Sequence, residues 1–131
     1  MTIPTYLLAA LHGFFAFTHL KDPAQAVKDM VGISSTSHVA RHCIAIIGAL
    51  HLFVAVLMLM CARLGPENAG HRKCILGIYV ITFVPATMAI QFLHPVAGVA
   101  PGIFEMPFPV LYTCAGLAIL GLAMGGKTKS A

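Results

Sequence analysis

Four long apolar runs, each closed by proline, glycine or a small polar cluster, constrain this chain more than any other feature of it. A helix that crosses a hydrocarbon core of about 30 Å needs about 20 mostly apolar residues. The first run extends from about Pro4, suited to an opening helical turn, to Leu20, and stops at Lys21-Asp22-Pro23. The second follows Ser34-Ser35-Thr36-Ser37, whose hydroxyls can cap a helix, and covers 38–64 ahead of Gly65-Pro66. The third covers Arg72 to His94 before Pro95, and the fourth opens at Pro107 or Pro109 and ends at Gly125-Gly126. With short connections between them, the runs predict an all-α membrane protein of one domain, its four transmembrane helices forming an up-down-up-down antiparallel bundle. A soluble alternative fails on composition: 59% of the residues are hydrophobic and 9% charged, too few to present a polar surface to water.

Between the first two runs, DPAQAVKDMVG predicts a short helix over about 23–31. Asp22 can cap it, Pro23 suits its first turn, Gln25 completes a capping box, and Gly32 ends it. Val27, Met30 and Val31 share one face, and Lys28 and Asp29 point away. Such a helix lies in the interface plane or covers the mouth of the bundle.

Four crossings put both termini on one side. Arg63, Arg72, Lys73, Lys127 and Lys129 fall on that side, against Lys21, Lys28 and Arg41 on the other, so the bias places the termini inside. The host is then a bacterial inner, mitochondrial inner or thylakoid membrane. Arg63, Arg72 and Lys73 are the expected contacts for lipid headgroups, and His71 joins the same anchor. The first run lacks a basic start and a small-residue cleavage site, which predicts that it stays in the mature protein. The scattered basic residues form no dense face for nucleic acid. Cys43, Cys61, Cys74 and Cys114 show no paired spacing and are read as packing residues. The chain has no GxSxG, no phosphate-binding glycine loop and no paired intramembrane carboxylates, which argues against a hydrolase or an ion-coupled transporter.

The histidines divide by depth. His12 and His51 fall near the middle of the first and second runs, which are neighbours in an antiparallel bundle. Two imidazoles at matching depth can ligate the iron of a haem, or each can take the magnesium of a chlorophyll. They can equally donate to groups on neighbouring helices and glue the bundle. A second group gathers at the outer face: His19, His38, His42, Gln91, His94 and Glu105. Histidines and a carboxylate converging there could hold zinc, copper or iron, or hydrogen-bond a quinone, although a solvated polar rim has the same composition.

Pro85 predicts a kink in the third run, with Thr82 able to satisfy freed backbone groups. Small residues at four-residue spacing, Ala45/Ala49, Cys114/Ala118 and Gly121/Gly125, allow close helix approach within the bundle or to a partner subunit. Phe14, Phe15, Phe17, Phe83 and Phe92 are read as packing or lipid-facing groups, with pigment or quinone stacking the alternative, and Met58, Met60 and Met88 as adaptable core residues rather than copper ligands.

The stretch GFFAFTHLKDP, an amphipathic connector ending in glycine, Arg41 opening the second run and Gly48 inside it together resemble the DoxX-like group of small four-helix membrane proteins. The resemblance covers roughly the first half of the chain and implies a four-helix fold and an association with respiratory or sulfur redox complexes. The histidine count and the FEMPFP entry to the fourth run depart from that pattern, so no functional residue carries over. The expected function is that of a non-catalytic accessory subunit in a larger membrane electron-transfer or photosynthetic assembly. Its alternative is a small redox protein with a metal or quinone site at the outer face.

Overall fold

The computed structural model describes residues 3–31, 37–93, 102–104 and 107–124, and every regular element among them is helical. In chain order these are α1 (Ile3–Lys21), α2 (Pro23–Val31), α3 (His38–Arg63), a 3-10 turn (Pro66–Asn68), α4 (Ala69–Ile78), a π turn (Tyr79–Phe83), α5 (Val84–Leu93) and α6 (Phe108–Met124). The expected stops at Gly32, Pro95 and Gly125-Gly126 lie outside the described residues, as do Ser34 to Thr36. Three helical segments are long and apolar enough to cross a membrane: Ile3–Lys21, His38–Arg63 and Pro66–Leu93. α6, with 17 residues, is shorter.

Local chemistry sets the boundaries. The Asp22 carboxylate accepts the Gln25 backbone N–H at 3.0 Å, which caps α2. The return half of the expected capping box is not made. The Asp22 N–H is already committed to the Thr18 carbonyl at 3.4 Å, and the Gln25 amide donates instead to Asp29 at 2.6 Å. Ser37 opens α3, its Oγ accepting the Ala40 N–H at 3.4 Å. The third segment turns helical well before Arg72, because Pro66 presets the backbone angle and the Asn68 N–H closes onto the Gly65 carbonyl at 3.0 Å.

Pro85 cannot donate to the carbonyl of Ile81. The helix accommodates it by widening just upstream, where the Val84 N–H reaches the Tyr79 carbonyl, one residue further back than in an α-helix. Threonine hydroxyls satisfy carbonyls along the same stretch, Thr82 bonding Ile78 at 2.5 Å and Thr87 bonding Phe83 at 2.7 Å.

Contacts group the chain into two units, Ala9–Leu59 and Met1–Leu8 with Met60–Ala131. In the first, α1 and α3 approach closely at Gly48. A Cβ there would stand 2.9 Å from the His19 Cβ and 3.0 Å from the Leu20 Cγ, so any larger residue would push the helices apart. α2 turns Ala26 and Val27 onto Ile44 of α3, flanked by Ala40 and Ile47.

In the second unit, the buried Leu76 of α4, Thr5 of α1 and Gly121 of α6 converge. A Cβ at Gly121 would meet the Leu76 Cδ1 at 3.0 Å and the Thr5 Oγ1 at 3.2 Å. Cys114 and Ala118 are buried on the same helix, so this small-residue row packs inside its own unit. The Tyr79 hydroxyl hydrogen-bonds the Cys114 thiol, and Phe92 stacks on the buried Phe108 with ring centroids 4.9 Å apart.

Candidate functional site

The densest group of titratable side chains among the described residues lies in the Ala9–Leu59 unit. With 100° per residue, His12, Phe15 and His19 occupy one side of α1, since seven residues bring the helix almost back to its starting direction. On α3, His51 follows Gly48 by three residues and so lies on the face where α1 approaches.

His12 Nδ1 and His51 Nδ1 are 2.8 Å apart, a hydrogen bond in which one ring N–H donates to the lone pair of the other. The two ring centroids are 5.0 Å apart. His19 stacks on His51 with ring centroids 5.5 Å apart, and Phe15 completes the group at 5.5 Å from His51. His12 is 1% exposed and His19 6%. The Nδ1 of His19 is buried without a well-formed hydrogen bond. The Phe15 carbonyl beside it already accepts the Thr18 hydroxyl at 3.0 Å.

This arrangement ties two apolar helices through a polar contact that neither lipid nor water can replace in place. Its fit to a metal is poorer. With metal–nitrogen bonds of about 2.0 Å, two imidazoles on a tetrahedral ion, or trans across a haem iron, hold their ligating nitrogens about 3.3–4 Å apart, so a pair at 2.8 Å would have to separate to share either. Among the described residues no three His, Cys, Asp or Glu side chains are arranged to hold a metal ion.

The outer-face set separates. His19, expected there with His38 and His42, is turned inward against His51, because its seven-residue spacing from His12 puts it on the helix side that faces α3. His38 and His42 are exposed, His38 Nδ1 lying 3.5 Å from an Arg41 nitrogen. His94 and Glu105 lie outside the described residues. At the other end of α3, Arg63, His71 and Lys73 are exposed. Arg72, expected with Arg63 and Lys73 at the headgroups, differs from them in being 7% exposed and donates to the Leu64 carbonyl at 3.4 Å. A cation at the carboxyl end of a helix meets the negative end of its dipole, which favours the inward turn.

Depth in the sequence singles out His12 and His51, but not the addition of His19. Its signals were the heptad spacing from His12 and the glycine one turn before His51. In comparisons with known proteins, no family model, no curated protein and no solved structure matches the chain.

Proposed function

We propose that this chain is a four-helix integral membrane protein that serves as a non-catalytic subunit of a larger membrane assembly, of the electron-transfer or photosynthetic kind. α6 reaches the lower end of the crossing range at 17 residues and supplies the fourth span. The observation that carries the reading is the sorting of groups within the spans. His12 and His51 bond to one another, whereas only 17% of the apolar stretch of α3, and of Pro66–Leu93, is buried within the protein. Leu50, Phe53, Val56 and Met60 on α3, with Ile78, Ile81, Ile90 and Leu93 further on, are exposed and available to lipid and to partner helices.

The test is native electrophoresis after mild detergent extraction, with cross-linking in the intact membrane beforehand. The subunit reading expects co-migration with other membrane proteins and cross-links from α3. Recovery of an active, isolated monomer without cross-linked partners would overturn it.

A second reading makes the mid-membrane histidines ligands of a haem or chlorophyll, and the gathering of three imidazoles and Phe15 within one unit favours it. His12 or His51 would supply the axial nitrogen, after rotation of at least one ring out of the pair. An absorption spectrum of the extracted protein, oxidised and dithionite-reduced, decides: a Soret band abolished by His12→Leu or His51→Leu establishes ligation. A flat spectrum from folded protein leaves the histidines as a structural tie.

A further inference from the structure

Arg72 is the one charged side chain that the fold buries among the described residues, at 7% exposure. Its guanidinium carries five N–H donors and is always charged. One nitrogen reaches the Leu64 carbonyl at 3.4 Å, and Nε is buried without a hydrogen-bond partner. Glu67, the sole acid between residues 60 and 93, folds its carboxylate back over Gly65 and accepts the Asn68 amide at 3.0 Å. No described carboxylate therefore neutralises Arg72. The negative end of the α3 dipole offsets only about half an elementary charge, and a desolvated cation without a counter-ion is strongly unfavourable.

We propose that the phosphate of an anionic phospholipid is this counter-ion. Arg72 lies in the first turn of α4, six residues into the Pro66–Leu93 segment and beside the end of α3, so in a membrane it stands near headgroup depth. Arg63, His71 and Lys73 flank it and are exposed, adding positive potential around a recessed guanidinium whose planar fork matches phosphate oxygens. The flanking cations attract anionic lipid, and Arg72 holds it. The inference rests on the membrane reading of the spans; failure of that reading would show earlier, as failure to enter bilayers.

The experiment reconstitutes the full chain in nanodiscs of phosphatidylcholine, with and without phosphatidylglycerol. It measures the thermal unfolding midpoint, and retained lipid by native mass spectrometry. Wild type should gain about 3–5 °C with phosphatidylglycerol and retain it as a discrete adduct. Arg72→Gln should lose both, Arg72→Lys should keep part, and Arg63→Gln with Lys73→Gln should keep the adduct at weakened occupancy. A shift that survives Arg72→Gln overturns the proposal. So does an adduct abolished in the double variant with Arg72 intact, which would mean diffuse surface attraction. Inorganic phosphate added to phosphatidylcholine discs should give no comparable shift; an equal one would make the ligand a free anion and refute the lipid assignment. Should Arg72→Gln fail to fold, Arg72→Lys and the double variant decide the matter.

Discussion

Replacing Gly48 by alanine tests the helix contact on which the histidine group depends. The new Cβ would lie 2.9 Å from the Cβ of His19, against about 3.5–4.0 Å for an ordinary carbon contact, so about 0.6–1.1 Å of separation is required. The opposing atom is a Cβ fixed to its own backbone, so α1 itself must move. A movement of about 0.6 Å along the helix-helix direction takes the His12–His51 nitrogens from 2.8 Å to about 3.4 Å, past good hydrogen-bond length. Overpacking costs about 1–3 kcal/mol and the lost polar contact about 0.6–1.7 kcal/mol. Alanine returns about 0.8–1.0 kcal/mol in helix propensity. The net expectation is destabilisation by about 1–4 kcal/mol, measured by equilibrium unfolding in mixed micelles. Gly77→Ala is the control: a Cβ there meets nothing within 4 Å, so it should be neutral or stabilising. If Gly48→Ala unfolds at the same point as Gly77→Ala, the close approach of α1 and α3 is wrong.

His12→Leu and His51→Leu should each cost about 1–3 kcal/mol by orphaning the surviving imidazole, and the double variant should cost less than their sum, with coupling of about 0.6–1.7 kcal/mol in a double-mutant cycle. Gly121→Ala should be milder than Gly48→Ala, under about 1.5 kcal/mol, because the nearest obstacle is the terminal methyl of Leu76, which can rotate away. In detergent, Cys43 and Cys74 should react with a small maleimide well before Cys61 and Cys114, since the former are exposed and the latter buried; uniform labelling would contradict the packing of α4 and α6.

Helix and apolar span are legible in this sequence because each is a matter of local composition: twenty apolar residues between a hydroxyl cap and a proline leave little choice of structure. The Asp22 cap is likewise local, and even there the capping box was half misread, because the Asp22 N–H belongs to the end of α1. Rotation about each helix axis is a different kind of quantity. It decides whether His19 looks outward or onto His51, and whether the Arg72 side chain lies open like Lys73 or recessed against the Leu64 carbonyl, and hydropathy does not report it. In a chain apolar on nearly all sides the usual amphipathic stripe is missing, so the rotational information shrinks to single glycines such as Gly48 and to seven-residue spacings such as His12 to His19. The π turn before Pro85 adds to the difficulty, since it resets the angular count for every residue after it.

A hydrogen bond between the same nitrogen of two identical rings cannot be symmetric. For His12 and His51 to share one proton across 2.8 Å as neutral groups, one ring must be the Nδ1–H tautomer and the other the Nε2–H tautomer. The first then carries a bare Nε2 lone pair and the second an Nε2–H, so the pair has an accepting end and a donating end, opposite in chemical character. Exchanging the ends moves a proton on both rings at once. The contact that holds α1 to α3 is therefore also a polarised element with two arrangements, and whatever group lies beside either Nε2 selects between them.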